Sequence, residues 1–405
     1  MMLRFELRKI FGKKLNVVAM IVGYVVLALC LIVPIHDEAY YFEDSAEYIS
    51  GIEAIEKNRE LAASQTDYLT EEFVTDTIRE IQSKNMDLES DEGYMEIFRP
   101  TGDLVYYLAN SYMDITYTKY DTNILNRIDL TDGGADFYET RMQLIKDHLN
   151  KDWSFGNYTE REKEYWISKA QKVTQPFQWG DRTVPKMVLM IFGVAFYQLF
   201  VIAICIAPVF AAESESGATQ LLLTTRYGKK KLVWTKALAS FIFAFGYLIL
   251  SGIIELGAIG VLFGLEDMAL PIQLIDAKIP YELTLGKACA LQAGVCLLIA
   301  FFVTAFVMIF SALTKSSLAT MALTITWLIA PAFFPGSKTN DFFNHINYLF
   351  AVRFAEVQDV LKMFIDYQFG NIVIDYITMA AIVHLVLGIL LLIPLRKVFV
   401  GRIVG

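Results

Sequence analysis

Glu213–Lys236 reads ESESGATQLLLTTRYGKKKLVWTK and interrupts the apolar second half of the chain. Two acids and Gly217 come first, then the helix-favouring run Ala218 to Leu223. Thr224 and Thr225 follow, and then the bases Arg226, Lys229, Lys230, Lys231 and Lys236. On insertion scales a Lys or Arg at the bilayer centre costs ~2.5–3.5 kcal/mol. This stretch therefore lies outside hydrocarbon, while the apolar runs beside it are long enough for a ~30 Å hydrocarbon core. The fold class that follows is an all-α polytopic membrane protein.

Working outward from the stretch, the apolar runs predict six spans. They cover residues 15–35, 188–210, 237–264, 288–313, 318–334 and 372–393, with the polar stretch at 211–236 as a loop between the second and third. Residues 1–14 carry Leu3, Leu7, Ile10 and Phe11 at helical spacing with bases between them. That pattern predicts an amphipathic interfacial helix with Arg4, Arg8 and Lys9 near lipid headgroups. The first run is longer than a signal-peptide core and Pro34-Ile35-His36 offers no small-residue cleavage site, so it reads as a retained span. Residues 336–371 are mixed polar and aromatic, and FAEVQDVLKMFIDY predicts short helices at the outer interface. Residues 187–405 thus form a five-helix membrane domain.

Residues 36–186 read differently. They hold 31 acids and 16 bases of a chain whose net charge is −9. Helix-start signals stand at Thr70 and in the Thr159/Glu162 capping box, so a mostly helical acidic domain is expected between the first two spans. Its size suffices for a core of its own. The negative total excludes nucleic acid as a partner class, since phosphate binding needs a basic face. Cys30, Cys205, Cys289 and Cys296 all fall in apolar runs without metal-ligand spacing, and read as small buried hydrophobes.

Orientation follows from the bases. With the N-terminus inside, the inside segments hold five (1–14), five (211–236), one (Lys315) and three (394–405). The short outside loops hold two (265–287) and three (335–371). The positive-inside rule then places both termini in the cytoplasm and residues 36–186 outside the cell membrane.

No H-E-x-x-H, G-x-S-x-G or G-x-x-x-x-G-K-[ST] occurs in the chain. It is read as a non-enzyme, with no cofactor of its own. Glu255 lies within the third span and His384 within the sixth. Intramembrane ionisable groups mark pathways by default. Glu255 either lines a transport path or helix contact, or is a neutral, hydrogen-bonded side chain; Gly252 and Gly257 beside it permit close helix approach. His384 reads as a helix–helix hydrogen bond.

Three segments resemble the permease subunits of ABC-2-type transporters. ELRKIFGKK resembles their interfacial helix. ESESGATQLLLTTRYGKKKLVWTK resembles their cytoplasmic loop between the second and third spans, and NHINYLFAVRF their outer helices before the last span. Many members carry Pro before the basic turn, where this chain has Thr225-Arg226. The resemblance implies a dimer with a second permease subunit, identical or not, and two copies of a cytoplasmic ATPase that binds ATP and Mg²⁺. It implies that the ATPase docks around Glu213, Glu215, Gly217, Leu221, Leu222, Leu223 and Arg226, while Lys229, Lys230, Lys231 and Lys236 hold the anionic bilayer surface. The implied activity is export of an amphipathic cargo such as an antimicrobial peptide, a lipid or a drug. A membrane sensor or scaffold, signalling through the same loop, is the alternative.

Overall fold

The structure is a computed structural model. It describes residues 2–401 except 43–46, 94–95, 98–100, 117–118, 132–133, 154–155, 226–227, 335, 338 and 356. Helix α1 (Met2–Gly12) leads directly into α2 (Lys14–Asp37). The insert after α2 then holds α3 (Ile52–Gln65), α4 (Glu71–Lys84), α5 (Asp103–Tyr112), α6 (Phe137–Asn150) and α7 (Glu160–Gln171). The polypeptide returns through α8 (Thr183–Val194), α9 (Gln198–Ile206) and α10 (Pro208–Glu215), followed by the short α11 (Ala218–Thr224). Then come α12 (Lys231–Phe263), α13 (Leu285–Thr314), α14 (Ser317–Ile329), α15 (Asp341–Tyr348), α16 (Tyr376–Leu392) and α17 (Leu395–Val400).

Five helices are long and apolar enough to cross a membrane: Lys14–Asp37, Gln198–Glu215, Lys231–Phe263, Leu285–Thr314 and Tyr376–Val400. Helix α2 shows why water is excluded as its solvent. Its inner face carries Asn16, Ala19, Gly23 and Leu27, while Val18, Ile21, Val22, Val25, Leu29 and Ile32 are each more than half exposed. Exposed apolar belts of this kind also run along α12 and α16, and a soluble monomer does not carry them. The protein is a multi-pass membrane protein.

Several boundaries differ from the sequence reading. The expected second span is not one rod: a 3₁₀ turn at Ala195–Tyr197 separates α8 from α9, and Pro208 restarts the helix as α10. Pro208 cannot donate, so the turn around it has loose ends. Ser311 of α13 closes them, donating to Ala207 O at 2.6 Å and accepting from Phe210 N (3.1 Å) and Ala211 N (3.0 Å). The expected fifth span is the 17 residues Ser317–Phe333, helical to Ile329 and 3₁₀ beyond. That gives a length of about 27 Å. Residues 372–375, placed in the last span by hydropathy, form a strand paired with Asp366–Phe369. Within FAEVQDVLKMFIDY only Val357–Val360 adds a helical turn before the hairpin.

Helix α13 is the hub of the membrane part, packed by α8, α9, α10, α12, α14, α16 and α17. Where α2, α9 and α12 cross, Gly23 permits the approach: a Cβ there would stand 2.3 Å from Tyr247 Oη and 2.9 Å from Gln198 Oε1. Gln198 in turn donates to Gly23 O at 3.0 Å and accepts from the Tyr247 hydroxyl. Asn16 ties the α1–α2 junction to α9, donating to Ile10 O (2.8 Å) and Cys205 O (3.2 Å).

The insert has its expected caps. Thr70 accepts from Phe73 N at 3.1 Å, and Thr159 and Glu162 form a reciprocal capping box. Two-residue strands at Tyr68–Leu69 and Phe177–Gln178 pair its early and late segments. It also shares its core with later loops. Arg59 donates to Phe263 O and pairs with Asp267 at 2.8 Å, Arg182 donates to Leu274 O at 2.7 Å, and Trp166 donates to Asp366 at 2.7 Å. The insert is therefore packed onto 263–279 and 364–375, beyond what its own size required.

Candidate functional site

The Glu213–Lys236 stretch is mostly helix. Helix α10 continues to Glu215 and α12 already begins at Lys231. Between them Gly217 takes a left-handed conformation (φ 71°), a backbone turn that suits glycine, and its N–H closes on Ser214 O at 3.1 Å. Helix α11 follows this elbow.

Glu213 and Glu215 lie two positions apart on α10, so they point to different sides. Glu213 is buried, and its Oε1 lies 2.6 Å from Lys236 Nζ and 3.3 Å from Lys9 Nζ. Lys236 is 2% exposed and also reaches Glu6 Oε2 at 2.8 Å; Lys9 closes the set on Glu6 Oε1 at 3.5 Å. Two carboxylates and two ammonium groups thus alternate where α1, α10 and α12 meet. Glu215 faces the other way: its carboxylate accepts from Ser317 N (2.6 Å) and Ser317 Oγ (3.0 Å) at the start of α14. A carboxylate there satisfies free N–H groups and favours the helix dipole.

Three expectations are corrected. Glu213 is buried in the charge cluster, and Glu215, though exposed, is already engaged by Ser317, so neither is a free carboxylate. Lys236 is no bilayer-surface base, because five residues into α12 it enters the core. The apolar stripe of α1 does not face lipid alone: Ile10 is buried, Leu3 and Leu7 pack on the core, and α1 lies along α12. Arg4, Arg8, Lys229, Lys230 and Lys231 are exposed, and Lys9 keeps 44% of its side chain accessible. Gly217 is exposed, Leu221 stands out at 73% exposure, and Leu222 is half-buried; the Leu223 side chain and Arg226 lie outside the described residues.

Sequence reasoning misses Glu6 and Ser317. Glu6 carries a signal: it is the lone acid of α1 and lies on the Leu3–Leu7–Ile10 face, where an acid needs a buried partner. Ser317 carries none.

The first and last described helices both come to this site. Besides α1, the C-terminal α17 reaches it through Phe399, whose ring lies 5.0 Å from that of Phe210, and Arg396 Nε donates to Lys229 O at 3.2 Å.

Inside the bundle, Glu255 is 3% exposed, and neither carboxylate oxygen has a hydrogen-bond partner among the described residues. A Cβ at Gly257 would meet nothing within 4 Å, so no helix among the described residues approaches closely there. His384 bonds Ala380 O of its own helix at 2.8 Å rather than a neighbour; its cross-helix contacts are the rings of Phe302 and Phe354. Compared with known proteins, the chain matches no family model, no curated protein and no solved structure.

Proposed function

We propose that the chain is the membrane-spanning subunit of an ATP-driven exporter of the ABC-2 type. It works as a dimer with two cytoplasmic ATPase subunits, which bind ATP and Mg²⁺, and moves an amphipathic peptide, lipid or drug. The observation that carries this reading is the elbow. Its front, Leu221, is exposed, while its back is joined by Glu213 to α1 and α12 and by Glu215 to α14. A push on α11 reaches three helices through short polar contacts, and coupling is carried by hydrogen-bond and salt-bridge networks between rigid elements.

In this reading the chain crosses the cell membrane six times, with Ser317–Phe333 as a short fifth crossing. Both termini lie in the cytoplasm and residues 36–186 lie outside. Support for an even number of crossings comes from α1 and α17 meeting the same stretch. Exposed Arg4, Arg8, Lys229, Lys230 and Lys231 then border the anionic inner leaflet, at ~1 kcal/mol each.

Leu221→Asp tests the docking. Pull-down of the detergent-solubilised wild type recovers a chain bearing a G-x-x-x-x-G-K-[ST] loop, and the variant recovers about tenfold less. Its melting temperature is unchanged, because surface substitutions stay within about ±0.5 kcal/mol. Equal recovery of the ATPase by wild type and variant removes Leu221 from the interface.

Glu255 lines the transport path in this reading. Glu255→Leu relieves a buried polar group without a partner, a cost of about 1–3 kcal/mol. It therefore melts higher than wild type while losing cargo-stimulated ATP hydrolysis. A variant that melts lower, or that keeps full stimulation, contradicts the assignment.

A further inference from the structure

At the end of the bundle away from the elbow, a pocket of about 480 Å³ opens between the outer insert, α15 and the 366–375 hairpin. Three carboxylates line it: Glu162 from α7, Asp341 from α15 and Asp366 from the hairpin. No Lys or Arg is among the described residues that line it. Its walls include the rings of Tyr158, Tyr348 and Phe364.

Asp366 is the group that points to a ligand. It is 4% exposed; one oxygen accepts from Trp166 Nε1 at 2.7 Å, and the other, Oδ1, has no donor among the described residues. Glu162 lies beside it, close enough for the two carboxyl groups to share a proton in a side-chain hydrogen bond, and uses Oε2 to cap α7 through Thr159 N at 2.7 Å. His345 lies near enough to oppose the rise of the Asp366 pKa but makes no contact with its carboxylate: its ring nitrogens face the backbone oxygens of Asp341 and Asp366 at 2.9 and 2.8 Å, and its nearest carboxylate is that of Asp341 at 3.1 Å. Tyr158 spends its hydroxyl on Phe364 O at 2.8 Å. Burial, with Glu162 nearby, pushes Asp366 up to about 7, so in the empty pocket the pair retains a proton that an incoming cation displaces. The described residues hold no group of three His, Cys, Asp or Glu arranged for a metal ion. Carboxylates beside aromatic faces instead suit an organic cation, through charge and cation–π attraction together.

We propose that this pocket binds an organic cation: an alkyl- or arylammonium, or a guanidinium, on a partly apolar molecule. The site is independent of the elbow and of the exporter reading. Because it joins the insert to α15 and the hairpin, an occupant bridges those segments.

The test uses the full chain in detergent, titrated with phenethylammonium and with its neutral counterpart phenethyl alcohol. The ammonium binds at least about tenfold tighter than the alcohol. Its affinity rises from pH 6 to pH 8, since Asp366, facing Glu162, Asp341, His345 and Tyr158, loses its proton across that range while the probe stays charged. Asp366→Asn and Glu162→Gln each weaken the ammonium at least about tenfold and leave the alcohol unchanged. Glu162→Gln retains the capping box, so it decides the matter if Asp366→Asn fails to fold. A free amine and a peptide side chain share this chemistry; N-acetyl-lysine methylamide binding tighter than phenethylammonium assigns the site to basic peptides, and the reverse order to free amines. Equal affinity for ammonium and alcohol, no binding of either amine, or unchanged binding in Glu162→Gln overturns the proposal.

Discussion

Lys236→Met is expected to destabilise the protein by about 3–5 kcal/mol. The reason is the surroundings left behind. Glu6 and Glu213 have side chains only 7% and 9% exposed, and without Lys236 they keep only Lys9, at 3.3–3.5 Å and 44% exposed. Breaking a buried pair leaves an uncompensated charge, which costs far more than the pair itself contributes. Lys9→Met, by contrast, removes a screened, half-exposed partner and costs at most about 1 kcal/mol. Replacing the buried set together, as Glu6→Gln, Glu213→Gln and Lys236→Met, recovers most of the loss, because no charge is then stranded. Thermal melting of the four proteins in one detergent checks this order. A Lys236→Met protein that melts with the wild type, or a triple variant no better than the single, rules out the charge cluster as the joint of α1, α10 and α12.

Arg141→Met is expected to cost about 3 kcal/mol and to loosen the 36–186 insert from the 265–284 segment. Arg141 is 1% exposed and donates to Ala277 O at 2.5 Å, Ile279 O at 3.1 Å and Ala170 O at 3.3 Å. Among the described residues no carboxylate stands within ion-pair distance of it, so its work is to satisfy backbone oxygens. Each hydrogen bond to a charged group is worth about 1.5–3 kcal/mol. Desolvation of the guanidinium offsets part of that total: burial lowers its pKa to about 10, though it stays charged at neutral pH. This offset is why the loss is set below that of Lys236→Met. Arg141→Lys recovers little, since one ammonium on a shorter reach does not span carbonyls on two segments. Limited proteolysis reads the effect as faster cleavage within 265–284, together with a lower melting temperature. Wild-type cleavage rates in Arg141→Met contradict it.

Whatever the chain carries locally is legible in its sequence. The apolar runs, the Thr70 cap and the Thr159/Glu162 box are each set within one or two turns. The structure has both caps where the capping rules put them, and it has five helices long and apolar enough to cross a membrane within or across those runs. The features that sequence misplaces depend on residues far away along the chain. Lys236 reads as one more surface base because its partners stand 23 and 230 positions away, at Glu213 and Glu6. Glu215 reads as free because Ser317 lies 102 positions on. Residues 372–375 are as apolar as a span, and only their pairing with 366–369 makes them a strand. Glu255 is legible as an intramembrane acid, but not as one whose two oxygens lack a partner among the described residues.

The central claim is that force enters this chain through the elbow after α10. Cross-linking with single added cysteines tests it most directly, against the background of native Cys205, Cys289 and Cys296, all buried, and half-buried Cys30. Leu221 on α11 and Phe342 on α15 are comparably exposed, at 73% and 75%, so accessibility alone does not separate Leu221→Cys from Phe342→Cys. Membranes carrying each variant are treated with a thiol-to-amine cross-linker. The account predicts that Leu221→Cys joins an ATPase subunit in a nucleotide-dependent adduct, and that Phe342→Cys, on the outer side, joins none. An ATPase adduct from Phe342→Cys, or none from Leu221→Cys in membranes where the ATPase is present, contradicts it.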